Sequence, residues 1–335
     1  MKFSHVLGGN TIPDNIKRCL EEQPARSGMY NWIFAHKGEI NTFHDIKDRL
    51  DDFDQIQVNM SPKDMVFIPE LRRRLKGSST KLIINNDYVC EYWGKWGLDP
   101  YKYDQIQRMG DMVFSTEPNQ VSNMIDGTFV IPHPSNTKYL KKLGSAHKPT
   151  DSMGFIYHWW APDGKHLGAR TINKFIAKHG ERYDIKNSTI YGWNQLGDDR
   201  MAQHTDIMFD KVSPLQAFPD FAQKIQGERV VYDPNPYHTY GRNGVELACF
   251  KRPVVGSNRV LSYNKLFPEL TINPMDHNDA VGKFKIALGR NSERICEQAY
   301  KDVEQFNYAN SLKKWNSATD IAFDRGGVEW YKKQM

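Results

Sequence analysis

The feature that most constrains this chain is an alternation that runs twice: short apolar stretches separated by segments with helical spacing, a loop-forming break, then the same pattern again. In the first half, Lys2–Leu7, Trp32–Ala35, Gln55–Val58, Lys81–Ile84, Met112–Ser115 and Thr128–Ile131 read as strands. Asp14–Glu22, Phe43–Leu50, Pro69–Lys76 and Gln120–Ile125 read as helices between them. Short buried strands alternating with helices require a parallel sheet covered on both faces.

The break falls at Leu143–Asp151, where Gly, Ser, Pro and Thr cluster as they do in linkers. Beyond it, Gly154–Trp159, Ser188–Gly192, Arg229–Tyr232 and Pro253–Gly256 read as strands. Leu167–His179, Pro219–Ile225 and Gly244–Phe250 read as helices, and Asp279–Lys301 and Ala309–Trp315 are helical. A chain of 335 residues can bury two separate cores. The expected organisation is α/β with two doubly wound domains, 1–147 and 148–315. Ligands of such sheets bind outside the carboxyl ends of the strands.

Composition narrows the class. With 39% hydrophobic and 25% charged residues, the chain is a folded protein rather than a disordered one. Cys19, Cys90, Cys249 and Cys296 are too scattered for a zinc site or a secreted disulfide scaffold. The start, MKFSHVLGGNTIP, lacks the apolar stretch of a signal peptide, and no run of about 18 apolar residues occurs, so a cytoplasmic protein without a membrane span is expected. The net charge of +5 permits an anionic partner without demanding one.

The window that carries chemistry is Val230–Val260. A strand runs into a Pro-rich loop that ends in Gly241–Arg242–Asn243–Gly244, and a helix begins at about Gly244. A glycine-bearing loop at a helix start exposes unpaired N–H groups, which together with the helix dipole favour an anion such as a diphosphate. Glu246, expected in the first helical turn, suits either a cap or a ribose diol. The basic run Arg72–Arg73–Arg74 reads as a solvated helix end or as a contact for an anionic acceptor such as nucleic-acid phosphate. Asp51–Asp52 and Asp198–Asp199 lack neighbouring ligands and read as surface charge, so no metal is expected.

The run from Tyr240 to Ser257 resembles the donor-binding segment of the GT-B family of retaining glycosyltransferases. In that family two glutamates separated by seven residues precede an Ala and a Pro-Val-Val; Glu246, Ala248, Pro253, Val254, Val255 and Ser257 follow that order, and His238 stands at the first glutamate. The resemblance implies two Rossmann-like domains facing across a cleft. It implies that Glu246 binds the ribose of a nucleotide sugar and that the backbone around Arg242–Asn243 receives the distal phosphate, with His238 toward the sugar. Shorter stretches are similar to the family too. Gly8–Gly9 matches the loop that faces sugar and diphosphate. Within Phe155–Arg170, Lys165 matches a diphosphate-binding Lys and Arg170 can substitute for the missing Arg. Ile131–Pro134 and Glu304–Trp315 resemble the segments that leave and re-join the first domain, which implies a terminal helix of about 316–335 packed back on it. Where the family often has a His, this chain reads Asn85–Asn86–Asp87, which leaves Asp87 as a carboxylate near the expected reaction centre.

The function so implied is transfer of a sugar, a hexose by expectation, from a nucleotide diphosphate sugar (a UDP-sugar) to a hydroxyl of a glycan, a lipid-linked sugar, or a hydroxymethylated DNA base. The nucleotide sugar is a co-substrate, and no cofactor is required. Two other readings stay open: a nucleotide-sugar epimerase of GT-B shape, and a non-enzymatic two-lobed ligand-binding protein.

Overall fold

The computed structural model describes residues 1–9, 11–14, 16–17, 30–86, 97, 99–119, 125–144, 148–157, 165–192, 209–213 and 218–324, without the side chains of 157, 165–167, 212 and 219. The chain forms two compact units, Met1–Asn136 with Gln305–Met335, and Thr137–Glu304.

The first unit is built on a six-stranded sheet in the order β2-β1-β3-β4-β5-β6. Its strands are β1 (Phe3–Leu7), β2 (Glu39–Thr42), β3 (Gln55–Asn59), β4 (Lys81–Asn85), β5 (Met112–Ser115) and β6 (Phe129–Val130). All neighbouring strands pair in parallel. Strand residues point alternately to the two faces. Val6, Ile56, Val58, Leu82, Ile84 and Val113 bury one face against Ile68, Leu71, Tyr103 and Ile106. Phe3, Ile83, Met112 and Phe114 bury the other against Trp32, Ala35, Trp315, Ala318 and Ala322, so the helix Tyr308–Asp324 belongs to this core.

One expected strand is a helix. Trp32–Ala35 lies within the helix Asn31–His36. A four-residue apolar run does not reveal its period. In the structure Trp32 and His36, one helical turn apart, both pack on the Trp315 ring, with centroids 4.6 and 4.8 Å away. The strand on that side of the sheet is instead β2, whose Glu-Ile-Asn-Thr sequence has no apolar run to announce it.

The second unit holds a six-stranded sheet in the order β12-β11-β10-β7-β8-β9, again entirely parallel. The strands are β7 (Ser152–Tyr157), β8 (Asn187–Gly192), β9 (Lys211–Ser213), β10 (Val230–Asp233), β11 (Val254–Ser257) and β12 (Thr271–Ile272). Counted from β7, this is the strand order of dinucleotide-binding sheets, and the order reverses between β7 and β10. The first sheet reverses between β1 and β3. The helix Thr137–Gly144 counts with the second unit and packs on the helix Arg242–Cys249. Gly144 sits so close that a Cβ would lie 2.8 Å from Phe250 Cα. Among the described residues, no helix is long and apolar enough to cross a membrane.

Candidate functional site: a glycine-gated helix start at the reversal of the second sheet

β10 ends in Asp233, and the loop Pro234–Tyr240 carries the chain from the carboxyl end of that strand to the helix Arg242–Cys249. Loop conformation is set by a second segment, residues 257–262, laid beside it. Thr239 N donates to Arg259 O at 3.2 Å, Leu261 N to Thr239 O at 2.9 Å, and Ser262 N to Tyr240 O at 3.0 Å. Arg259 Nη1 donates to Pro236 O at 2.6 Å, and the Ser262 hydroxyl donates to Gly241 O. Tyr240 is buried beneath this double-stranded turn.

That close approach explains two glycines. Gly241 has φ 74°, in the left-handed region, and a Cβ there would lie 2.0 Å from Val260 Cγ1. A Cβ on Gly244 would lie 2.2 Å from Ser262 Oγ. Backbone N–H groups at the start of this helix are left without a side-chain cap, because the N-cap is Gly241 itself.

The helix begins at Arg242, two residues ahead of expectation, which changes how Glu246 reads. It is the fifth residue of the helix, and no acidic residue occupies the first turn. A capping role is thereby removed, since cap and dipole effects fade beyond the first turn. Glu246 is nevertheless buried, its side chain 3% exposed, with Arg242 Nε 2.7 Å from its Oε1. The Nε–H is not aimed at that oxygen, so the contact is an ion pair rather than an aligned hydrogen bond. Beside it, the Tyr263 hydroxyl donates to Asp233 Oδ2, and the Asn243 side chain hydrogen-bonds the same tyrosine. Burial, with the Asp233 and Glu246 charges behind it, pushes the Tyr263 phenol well above its ordinary range, so it stays a neutral donor.

His238 is half-buried in the loop. On the other side of the reversal, the helix Lys165–Tyr183 follows β7. Gly168 lets its first turn approach the strands, for a Cβ would lie 2.9 Å from Phe155 Cε2 and 3.1 Å from Pro234 Cγ. Lys165 opens this helix with its side chain outside the description, and Arg170 is exposed on it. The structure therefore gathers Tyr240, Gly241, Arg242, Asn243, Gly244 and Glu246 at one helix start.

In the first unit, Gly8 and Gly9 follow β1 at the reversal of that sheet. Gly8 N donates to Asp64 Oδ1 at 2.6 Å, and the Ser61 hydroxyl donates to Asp64 Oδ2 at 2.6 Å. A Cβ on Gly8 would lie 2.8 Å from Lys63 O, so this glycine admits its own neighbouring loop. Gly9 has φ 101° and open space where a Cβ would stand. Asp87 lies outside the described residues.

Arg72, Arg73 and Arg74 end the helix Ile68–Arg74 and all have carboxylate partners. Arg72 Nη1 is 3.0 Å from Asp111, Arg73 Nη2 2.6 Å from Glu70, and Arg74 reaches Glu70 at 2.7 Å and Asp48 at 3.2 Å. Arg72 and Arg73 line a groove of about 550 Å³ with Lys81 and Asp111, at the amino ends of β4 and β5, the end of the sheet opposite Gly8. Among the described residues, no group of three or more His, Cys, Asp or Glu side chains is placed to hold a metal.

No protein-family model and no curated protein matches the chain. Solved structures do. Anabaena Alr3699/HepE in complex with UDP is similar with a TM-score of 0.65 at 12% identity, over 96% of this chain and 100% of that one. The trehalose-6-phosphate synthase OtsA is similar with a TM-score of 0.63 at 12% identity, over 83% and 74%. TarM is similar with a TM-score of 0.59 at 14% identity, over 82% and 57%. The likeness is one of fold: two parallel α/β units of GT-B type.

Proposed function

We propose that this chain is a glycosyltransferase that takes a sugar from a UDP-sugar and passes it to a hydroxyl acceptor. One observation carries the reading: a buried glutamate, Glu246, one turn behind a glycine-gated helix start at the carboxyl end of β10, where the second sheet reverses. Uncapped N–H groups suit the diphosphate, and the carboxylate behind them suits a ribose diol. Structures of the same fold have been solved with UDP, with UDP-glucose, and with UDP and glucose, which supports this donor class.

In this reading the Gly241–Gly244 backbone, with Lys165 and Arg170, stabilises the charge that develops on the leaving UDP, the largest electrostatic demand of glycosyl transfer. His238 hydrogen-bonds sugar hydroxyls in place of the glutamate that the pattern otherwise carries. Gly8–Gly9 faces the sugar and diphosphate, and Asp87 serves the acceptor side. The carboxylates bound to Arg72, Arg73 and Arg74 make that run a self-neutralised helix end, which leaves a glycan or lipid-linked hydroxyl as the favoured acceptor over DNA.

The test is a thermal-shift titration with UDP and UDP-glucose, since a ligand of the native state must raise its stability. Melting is expected to rise with either ligand in the wild type and not in Glu246→Ala. Equal shifts in both proteins would place the donor elsewhere.

A further inference from the structure

The Arg242–Glu246 pair is built against ordinary helical preference. Arg242 is the first residue of its helix, where a cation meets the positive end of the dipole. An Arg placed N-terminal to its Glu is also the weaker orientation of an i, i+4 pair. The pair is not a surface decoration: the Glu246 side chain is 3% exposed and that of Arg242 is 29% exposed. Burying an ionised carboxylate is costly unless a counter-charge stands beside it. The Tyr263 phenol, which donates to Asp233, feels the Asp233 and Glu246 charges together, so this neighbour supplies no counter-charge.

We infer that Arg242 is a positioning residue for nucleoside recognition: its guanidinium, paired with the buried Glu246 carboxylate, holds that carboxylate in place so that it can accept both hydroxyls of a ribose. This rests on the donor reading above and adds to it a residue whose side chain that reading does not use. A glutamate free to swing would bind the ribose poorly. Recognition of the sugar hydroxyls, rather than of the phosphates, should therefore depend on Arg242.

Binding of UDP and of 2′-deoxy-UDP to the full chain, measured by calorimetry, isolates that term. The wild type is expected to prefer UDP by about tenfold or more, the equivalent of one charge-assisted hydrogen bond. Glu246→Gln should remove most of that preference. Arg242→Gln should reduce it at least about threefold, and adding Glu246→Gln should cause little further loss, because both changes act through one carboxylate. Arg242→Met keeps the apolar stem and repeats the experiment if the Gln variant melts early. Arg242→Lys, which restores the charge, should recover part of the preference. A folded Arg242 variant with the full wild-type preference, or independent losses that multiply in the double variant, would overturn the inference while leaving the donor site intact. A wild type that binds neither nucleotide, or whose preference Glu246→Gln leaves unchanged, would instead remove the donor reading itself.

Discussion

Asp64 reaches across the reversal of the first sheet to accept the Gly8 N–H at 2.6 Å, so a residue 56 positions later in the chain shapes the turn after β1. The other Asp64 oxygen accepts from Ser61. Burial raises the Asp64 carboxyl above its usual range, and the Ser61, Gly8 and Lys63 contacts pull it back. Removing a buried acceptor leaves its donors without a partner, so Asp64→Ala should cost about 1–3 kcal/mol in urea unfolding. Gly8→Ala should also destabilise, because its Cβ would press on Lys63 O and Asp64 Oδ1. The two changes act on one clasp, so their double variant should depart from additivity by at least about 0.5 kcal/mol. Simple addition of the two losses would mean that the contact does not hold the turn.

Such a clasp is not readable along the chain, and it marks where sequence reasoning stops. The strands β3, β4, β5 and β11 announce themselves as apolar runs because both faces of their sheets are covered. β2, β9 and β12 are edge or near-edge strands of two to four residues, and nothing in their composition separates them from loop. The helix Pro100–Gln107 reads as polar throughout because it presents only Tyr103, Ile106 and Gln107 inward. At the site, Gly241 and Glu246 are visible as a loop-to-helix pattern. That Gly241 and Gly244 exist to admit Ser262 and Val260 is visible only once β11 and the following helix Leu261–Leu266 are folded beside them.

Gly241 therefore should not tolerate a side chain. Gly241→Ala combines a left-handed backbone with a Cβ 2.0 Å from Val260, and its expected cost is about 1–3 kcal/mol with loss of the UDP-dependent thermal shift. Gly282 is the matched control. It lies inside the helix His277–Ala287 with open space where a Cβ would stand, so Gly282→Ala should stabilise by about 0.4–1 kcal/mol and leave the ligand shift unchanged. If both variants behaved alike, the steric account of the helix start would fail.

Glu228 should make the second unit less stable as it ionises. It is buried, its carboxyl is pushed up chiefly by burial, and Tyr191 donates to its Oε1 at 2.5 Å. The folded-state value lies above the unfolded value near 4.5. The folded chain thus holds this proton more tightly, and the stability that follows is fully present below about pH 4.5 and is lost as pH rises through the higher folded value. Glu228→Gln keeps the acceptor for Tyr191 and removes the charge. It should raise stability at pH 8 relative to wild type and bring the two together near pH 4. A variant weaker than wild type at pH 8 would show that the ionised carboxylate is stabilising where it stands.

His5 should act in the opposite direction at acid pH. Asn85 Nδ2 donates to Asn59 Oδ1 at 2.9 Å, which leaves the Asn59 amide to donate to His5 Nε2 at 3.2 Å. His5 Nε2 is thus the acceptor, and the ring proton sits on Nδ1. A second proton on Nε2 would break this ladder inside a fully buried site. Burial, with His133 nearby, accordingly lowers the His5 value from 6.5 to about 3. His36, stacked on Phe3 with centroids 4.2 Å apart, is lowered to about 3 by burial and the N-terminal charge. Both folded values lie below the unfolded one, so the unfolded chain takes up the protons. Stability from these rings is complete above about pH 6.5 and falls as pH drops toward 3, by up to about 1.4 kcal/mol per pH unit for each ring. Urea unfolding at pH 7.5 and pH 5 should show this loss in the wild type. His5→Asn, which cannot take up the proton, should flatten the slope by up to one ring's share even if it lowers stability at both values. An unchanged slope would mean that His5 stays accessible to protons in the folded chain.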